Sequence, residues 1–194
     1  MIAYLKGRFT TKTPSYVFIE VNGGVGYEVQ ISLNTFSKIQ DLETGTLLTH
    51  LLIKEDAHTL FGFFETSEKE MFLMLLSVSG VGASTARVML SYMKPEELSR
   101  AILQGNARLL ESVKGIGRKT AERIILELRD KISKQPVGVN ISSIQSNSLG
   151  LDALNALVAL GINRQAAEGA IQKAMQQNAD ANVEELIKKA LQNL

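Results

Sequence analysis

Two short glycine pairs carry the most legible chemistry in this 194-residue sequence. One pair lies in Ser79-Gly80-Val81-Gly82-Ala83-Ser84, the other in Lys114-Gly115-Ile116-Gly117-Arg118-Lys119. Both belong to an internal repeat offset by 35 residues. Leu75–Leu90 reads LLSVSGVGASTARVML and Leu110–Ile125 reads LESVKGIGRKTAERII, identical at seven of sixteen positions. Each copy reads as a helix, then hydrophobic-x-Gly-hydrophobic-Gly, then a second helix. Glycines let the backbone turn sharply and approach a ligand with no Cβ in the way. Val81 and Ile116, between the glycines, are placed to plug each turn into its helix pair. The second helix starts at once, so its first amides have no intrahelical acceptor and the helix dipole favours an anion beside them. Phosphate is the anion such a site suits best.

Side chains extend the same chemistry. Arg118 and Lys119 can add charge-assisted bonds, with Lys114 on the other side of the turn. Arg123 lies one helical turn beyond Lys119 on a similar face, although an ion pair with Glu127 four residues on is an equal alternative. In the first copy Ala83 and Ser84 occupy the places of Arg118 and Lys119. There the available donors are the backbone amides, Ser84 and Arg87. Two such turns side by side can hold phosphates of both strands across a minor groove, which is the helix-hairpin-helix arrangement. A single turn of this kind serves packing more often than binding. Two copies in register, the second followed by basic residues, favour DNA. The stretch Gly115–Thr120 also approaches a P-loop pattern. That motif needs glycine directly before the lysine and another five residues earlier, where Arg118 and Val113 stand, so no nucleotide site is expected.

Charge agrees with this placement. The chain has 21 Lys and Arg against 20 Asp and Glu, net +1. Residues 65–135 hold twelve basic and nine acidic residues, whereas 1–64 and 136–194 are each net −1. Local excess of this kind attracts phosphate even in a chain near neutrality. Cysteine is absent, which excludes disulfides, thiolate zinc sites and Fe–S clusters. The two histidines, His50 and His58, are expected to be structural. No metal, cofactor or catalytic residue is expected. No apolar run reaches membrane-spanning length and the opening MIAYLKGRF lacks a secretory signal's apolar stretch, so a cytoplasmic, membrane-free protein is expected.

The surrounding elements divide the chain into four parts, for an α+β protein overall. Residues 1–64 read as a small β domain, with strands over Ile2–Phe9, Tyr16–Val21, Tyr27–Ile31, Leu47–Ile53 and His58–Phe64. Asn22-Gly23-Gly24 supplies a hairpin turn, and Ser32 can cap a short helix through Ile39. This set suits an OB-fold β-barrel. Residues 65–133 read as an all-α double helix-hairpin-helix domain, opened by a capping box over Ser67-Glu68-Lys69-Glu70. Pro95 suits a helix start and Gly105 a helix end. Residues 134–148, rich in Pro, Gly, Ser and Asn, read as a flexible linker. Residues 149–194 read as a three-helix bundle with Leu154, Leu157, Ile171, Leu186 and Ile187 in its core.

From end to end the sequence resembles the RuvA family. The resemblance is carried by MIAYLKGRF, VNGGVGYEVQIS, THLLIKEDAHTLFGF, the paired hairpins and GIGRKTAERIILELRDK, in that order. It implies a sequence-independent binder of four-way (Holliday) DNA junctions in recombination and repair, working as a homotetramer, sometimes stacked as an octamer. It implies a C-terminal bundle similar to ubiquitin-associated (UBA) domains that engages a RuvB-type ATPase, with a RuvC-type resolvase as a further partner and no catalysis by the chain itself. It also implies that Glu55 and Asp56 form an acidic pin at the tetramer centre, where carboxylates repel converging phosphates. Lys54 beside them is a candidate phosphate contact. Without the resemblance, Glu55-Asp56 reads as a solvated turn or half of a Mg²⁺ site in a nuclease. A helix-hairpin-helix glycosylase or nuclease is therefore the alternative function, and a scaffold whose hairpins merely pack is a third.

Overall fold

Five strands build the N-terminal part: β1 (Tyr4–Lys12), β2 (Tyr16–Val21), β3 (Val25–Ile31), β4 (Thr44–Ile53) and β5 (His58–Phe63). They close into a barrel in the order β1-β2-β3-β5-β4, antiparallel throughout except for β3 with β5. That is the OB-type order anticipated above. Alternation along the strands sends Val17, Ile19, Val29, Ile31 and Leu47 inward, and Ile39 of α1 (Leu33–Ile39) joins them in the core. Ser32 caps α1, its Oγ accepting from the Thr35 amide at 3.0 Å. The strands run further than hydrophobic pattern alone suggests. Thr44 and Gly45 pair with Arg8 and Gly7, and Thr11 and Lys12 pair with β2. Ladder bonds in a closed barrel recruit polar residues that carry no pattern of their own.

The structure, a computed structural model, describes residues 1–134, 148–177 and 182–192. The chain divides into two compact units, Met1–Val139 and Asn140–Leu194. In the first unit the barrel continues into α2 (Thr66–Leu76), α3 (Ala83–Tyr92), α4 (Pro95–Leu103), α5 (Ala107–Glu111) and α6 (Arg118–Lys134). These helices share one core, which includes Phe61 and Phe63 of β5 beside Phe72 of α2. Half-buried His50 also meets Phe72, with ring centroids 5.9 Å apart, and burial together with nearby Lys69 lowers its pKa. It is thus a packing residue, as expected. Pro95 opens α4, and Gly105 adopts φ +69° just past its end.

One sequence expectation fails at the start of α2. The helix begins at Thr66 with Glu65 as its cap residue, and no side chain caps it. Ser67 and Glu70 form no capping box. Glu68 turns inward instead, where it is buried and accepts hydrogen bonds from the Ser32 and Thr35 hydroxyls, the latter at 2.6 Å. Thr35 Oγ1 in turn accepts the Phe64 amide at 3.1 Å. Two hydroxyls, one on the cap residue of α1 and one in its first turn, draw this carboxylate into the seam between barrel and helices and thereby set the helix register.

Burial pushes the Glu68 carboxyl above its ordinary value of 4.5, against the opposing pull of those hydroxyls. The folded chain therefore holds this proton more tightly than the unfolded chain does. The associated stabilisation is full below pH 4.5 and declines as pH rises through the raised pKa. A Glu68→Gln variant is expected to lose that decline, as chemical denaturation at pH values from about 4 to 7 can show. A variant profile parallel to that of the unaltered chain would contradict it.

The second unit holds α7 (Ser148–Ala159), α8 (Arg164–Gln177) and α9 (Val183–Gln192). Ala153, Leu154, Leu157, Ile171 and Leu186 form its core, with Ile187 packed alongside. Small residues at Ala167, Ala170 and Ala174 let the short helices approach closely. The linker assigned to residues 134–148 is trimmed at both edges, since Lys134 ends α6 and Ser148 begins α7. Its remainder, 135–147, lies outside the described residues.

Candidate nucleic-acid interface

The internal repeat is reproduced closely in its backbone. Gly80 and Gly115 adopt φ +91° and +94°, a left-handed conformation that side chains disfavour. The Val81 amide donates to the Val78 carbonyl, and the Ile116 amide to that of Val113, both at 3.0 Å. Ala86 and Ala121 donate to the carbonyls of Gly82 and Gly117, both at 2.9 Å. The Ser77 and Ser112 hydroxyls bond back to the carbonyls of Met74 and Leu109, each at 2.7 Å. Val81 and Ile116 are buried, as their plugging role requires. The helices α3 and α6 start immediately after the second glycine of each pair.

These starts leave donors free. The amides of Gly82, Ala83, Ser84 and Thr85 donate no hydrogen bond among the described residues, and neither do those of Gly117, Arg118, Lys119 and Thr120. Gly80, Gly82 and Ser84 are exposed, as are Lys114, Gly115, Gly117, Arg118 and Lys119. Each turn thus presents a cluster of unpaired donors at the positive end of a helix dipole, which is anion-binding geometry.

The basic side chains are distributed differently from one another. Lys114 and Lys119 stand in solvent. Arg118 pairs with Glu122 at 2.9 Å on the open surface, and this bond raises its already high pKa. Such exposed pairs are weak and yield readily to a phosphate. Arg123 realises the ion-pair alternative, with Nε 3.0 Å from Glu127 Oε1, while its Nη1 reaches the Ser79 carbonyl at 3.4 Å. Lys131 donates to Ser77 Oγ at 3.1 Å. Two cations of α6 therefore tie the second hairpin to the loop of the first.

Arg87, counted above among the donors of the first hairpin, is engaged elsewhere. Its Nη1 donates to the Ser15 carbonyl and to Gln30 Oε1, both at 2.7 Å. The repeat itself carries a sign of this: the position equivalent to Arg87 is Glu122, of opposite charge. Lys54, Glu55 and Asp56 occupy the β4–β5 loop, closed by the Lys54 amide on the Ala57 carbonyl at 2.8 Å, and all three are exposed. Among the described residues no three His, Asp or Glu side chains gather as a metal site would need, and no helix is long and apolar enough to cross a membrane.

A closed OB-type barrel leading into two matched glycine turns defines a tandem helix-hairpin-helix protein. Comparison with known proteins narrows this further. Residues 1–62 match the RuvA N-terminal domain model, 72–130 the SAM-like helix-hairpin-helix tandem, and 151–194 the RuvA C-terminal domain. The chain belongs to the RuvA family. It is 48% identical to the Holliday junction branch migration complex subunit RuvA of Christiangramia forsetii, across the full length of both chains. The subunits of the same description from Cytophaga hutchinsonii and Flavobacterium psychrophilum are each 46% identical, over 98% and 100% of both chains respectively.

Proposed function

We propose that this chain is the non-catalytic, junction-binding subunit of a branch-migration complex acting in the cytoplasm. It grips four-way DNA junctions without sequence preference, as a homotetramer. The observation that carries the reading is the pair of matching turns, each with free amides and exposed glycines. The free amides of Gly80 and Gly82–Thr85 with Ser84, and those of Gly115 and Gly117–Thr120 with Lys114, Arg118 and Lys119, form the phosphate-facing surface. Val81 and Ile116, expected at that surface, are instead buried with their amides spent on Val78 and Val113, and hold each turn in shape. Arg123 contributes charge there and braces the two turns. Contacts of this kind read backbone rather than bases, so affinity follows phosphate geometry and salt.

Four copies around a crossover hold four arms at once. Glu55 and Asp56, exposed on a short loop, serve as a repulsive post at the centre, with Lys54 steadying adjacent phosphates. Carboxylates near converging phosphates raise the local electrostatic energy, which discourages any one strand pairing from settling there. The bundle of α7–α9 recruits a RuvB-type ATPase, which supplies the work. A RuvC-type resolvase acts on the same held junction.

Competition in a gel shift tests the reading. A labelled four-way junction should remain bound against a large excess of linear duplex of equal length, because joint engagement of several arms raises avidity roughly a hundredfold or more. Equal competition by duplex would overturn junction selectivity. Cleavage of the junction in the presence of Mg²⁺ would instead support a repair enzyme.

A further inference from the structure

Besides the Glu68 seam at the start of α2, barrel and hairpins meet at two places of different character. One is apolar: Phe61 and Phe63 of β5 pack on Phe72 of α2, with ring centroids 5.1 and 4.9 Å apart. Apolar contact is non-directional, so it resists separation more than rotation. The other is polar and runs along α3, the helix that follows the first glycine turn. Half-buried Arg87 there holds two neutral acceptors, the Ser15 carbonyl at the start of β2 and Gln30 Oε1 on β3. Gln30 Nε2 donates to Glu28 Oε1 at 2.9 Å, which turns its amide oxygen toward Arg87. One turn on, Ser91 Oγ donates to the Arg87 carbonyl at 2.8 Å and accepts the Leu33 amide at 3.1 Å. Asn34 of α1 bonds the carbonyls of Leu90 and Met93 at the end of α3.

We propose that Arg87, through Gln30 and Ser15, is a positioning residue that fixes the rotation of the hairpins relative to the barrel loop Lys54–Ala57 and thereby sets the preference for a junction over linear duplex. This rests on the junction-binding reading above. The turn amides can hold a duplex backbone whatever the attitude of the barrel, so duplex binding depends on the turns alone. A junction places its arms and its crossover in fixed relation. Its recognition therefore depends on the angle between hairpins and barrel loop, and directional bonds from a charged donor are suited to set that angle.

The test uses the full chain with Arg87→Met and, separately, Gln30→Leu, which removes the acceptor without altering charge. Dissociation constants are measured for a four-way junction and for linear duplex of equal length at one salt concentration. Each variant is expected to lose roughly tenfold in junction affinity while duplex affinity stays within about twofold. If Arg87→Met does not fold, Gln30→Leu decides alone. Parallel loss on both substrates, or loss on neither, overturns the positioning role. An unaltered chain that shows no junction preference overturns the reading beneath it, and the inference with it.

Discussion

Replacing both Gly82 and Gly117 with alanine is expected to change fold stability by no more than about 1 kcal/mol and to weaken DNA binding by about a hundredfold or more. The reason lies in a contrast between the two glycines of each turn. Gly80 and Gly115 sit at φ +91° and +94°, so the turn itself demands them. Gly82, at φ −85° and ψ 166°, is in ordinary extended backbone. Gly117 is likewise outside the left-handed region, and a Cβ built at either position meets nothing within 4 Å. No neighbouring atom excludes a side chain there; on the junction-binding reading it is a phosphate approaching from outside that a side chain would obstruct. Alanine restricts the unfolded chain, worth about 0.4–1 kcal/mol, but it caps a helix less well than glycine and Gly82 is the cap residue of α3, so the two effects oppose each other. The same methyl, repeated in both turns, would hold a phosphate away from two sets of amides. Thermal unfolding and a binding titration on one preparation separate the effects. Unchanged affinity would mean that no ligand comes close to the turns.

Removing Arg118 and Lys119 together, both to alanine, should weaken binding to every DNA sequence alike. It should also reduce the slope of log affinity against log salt by about 0.9 for each phosphate the variant no longer neutralises. Both side chains are exposed at the first turn of α6, and the Arg118–Glu122 pair offers little resistance to exchange. Arg123 differs because Glu127 and the Ser79 carbonyl already occupy it. Titrations at several salt concentrations read the slope directly. An unaltered slope would place the charge-dependent binding elsewhere. A slope change confined to one sequence would indicate base readout rather than phosphate recognition.

Much of the hairpin geometry was legible because repetition reveals constraint. Several residues kept between the two copies are ones the turn needs: Val78 and Val113 buried below it, Gly80 and Gly115 at positive φ, Ala86 and Ala121 fully buried. The barrel was legible through strand alternation and the Gly23-Gly24 turn, both glycines at positive φ. The misreadings share a cause. Ser67–Glu70 satisfies the local rule for a capping box, yet Glu68 answers to Ser32 and Thr35, more than thirty residues earlier. Arg87 likewise looks like a hairpin cation until Ser15 and Gln30 come beside it. Long-range polar partners leave no local spacing to read. The ends of β1 and β4 escaped for a related reason, since their polar residues are held by neighbouring strands rather than by burial.

Amide hydrogen exchange on the full chain, with and without a saturating four-way junction, reaches the twin turns most directly. The amides of Gly82–Thr85 and Gly117–Thr120 donate to nothing among the described residues and should exchange quickly when the protein is alone. Phosphate acceptors should slow both groups together. Fast exchange persisting at both turns while the junction is bound would contradict their assignment as the phosphate-holding surface.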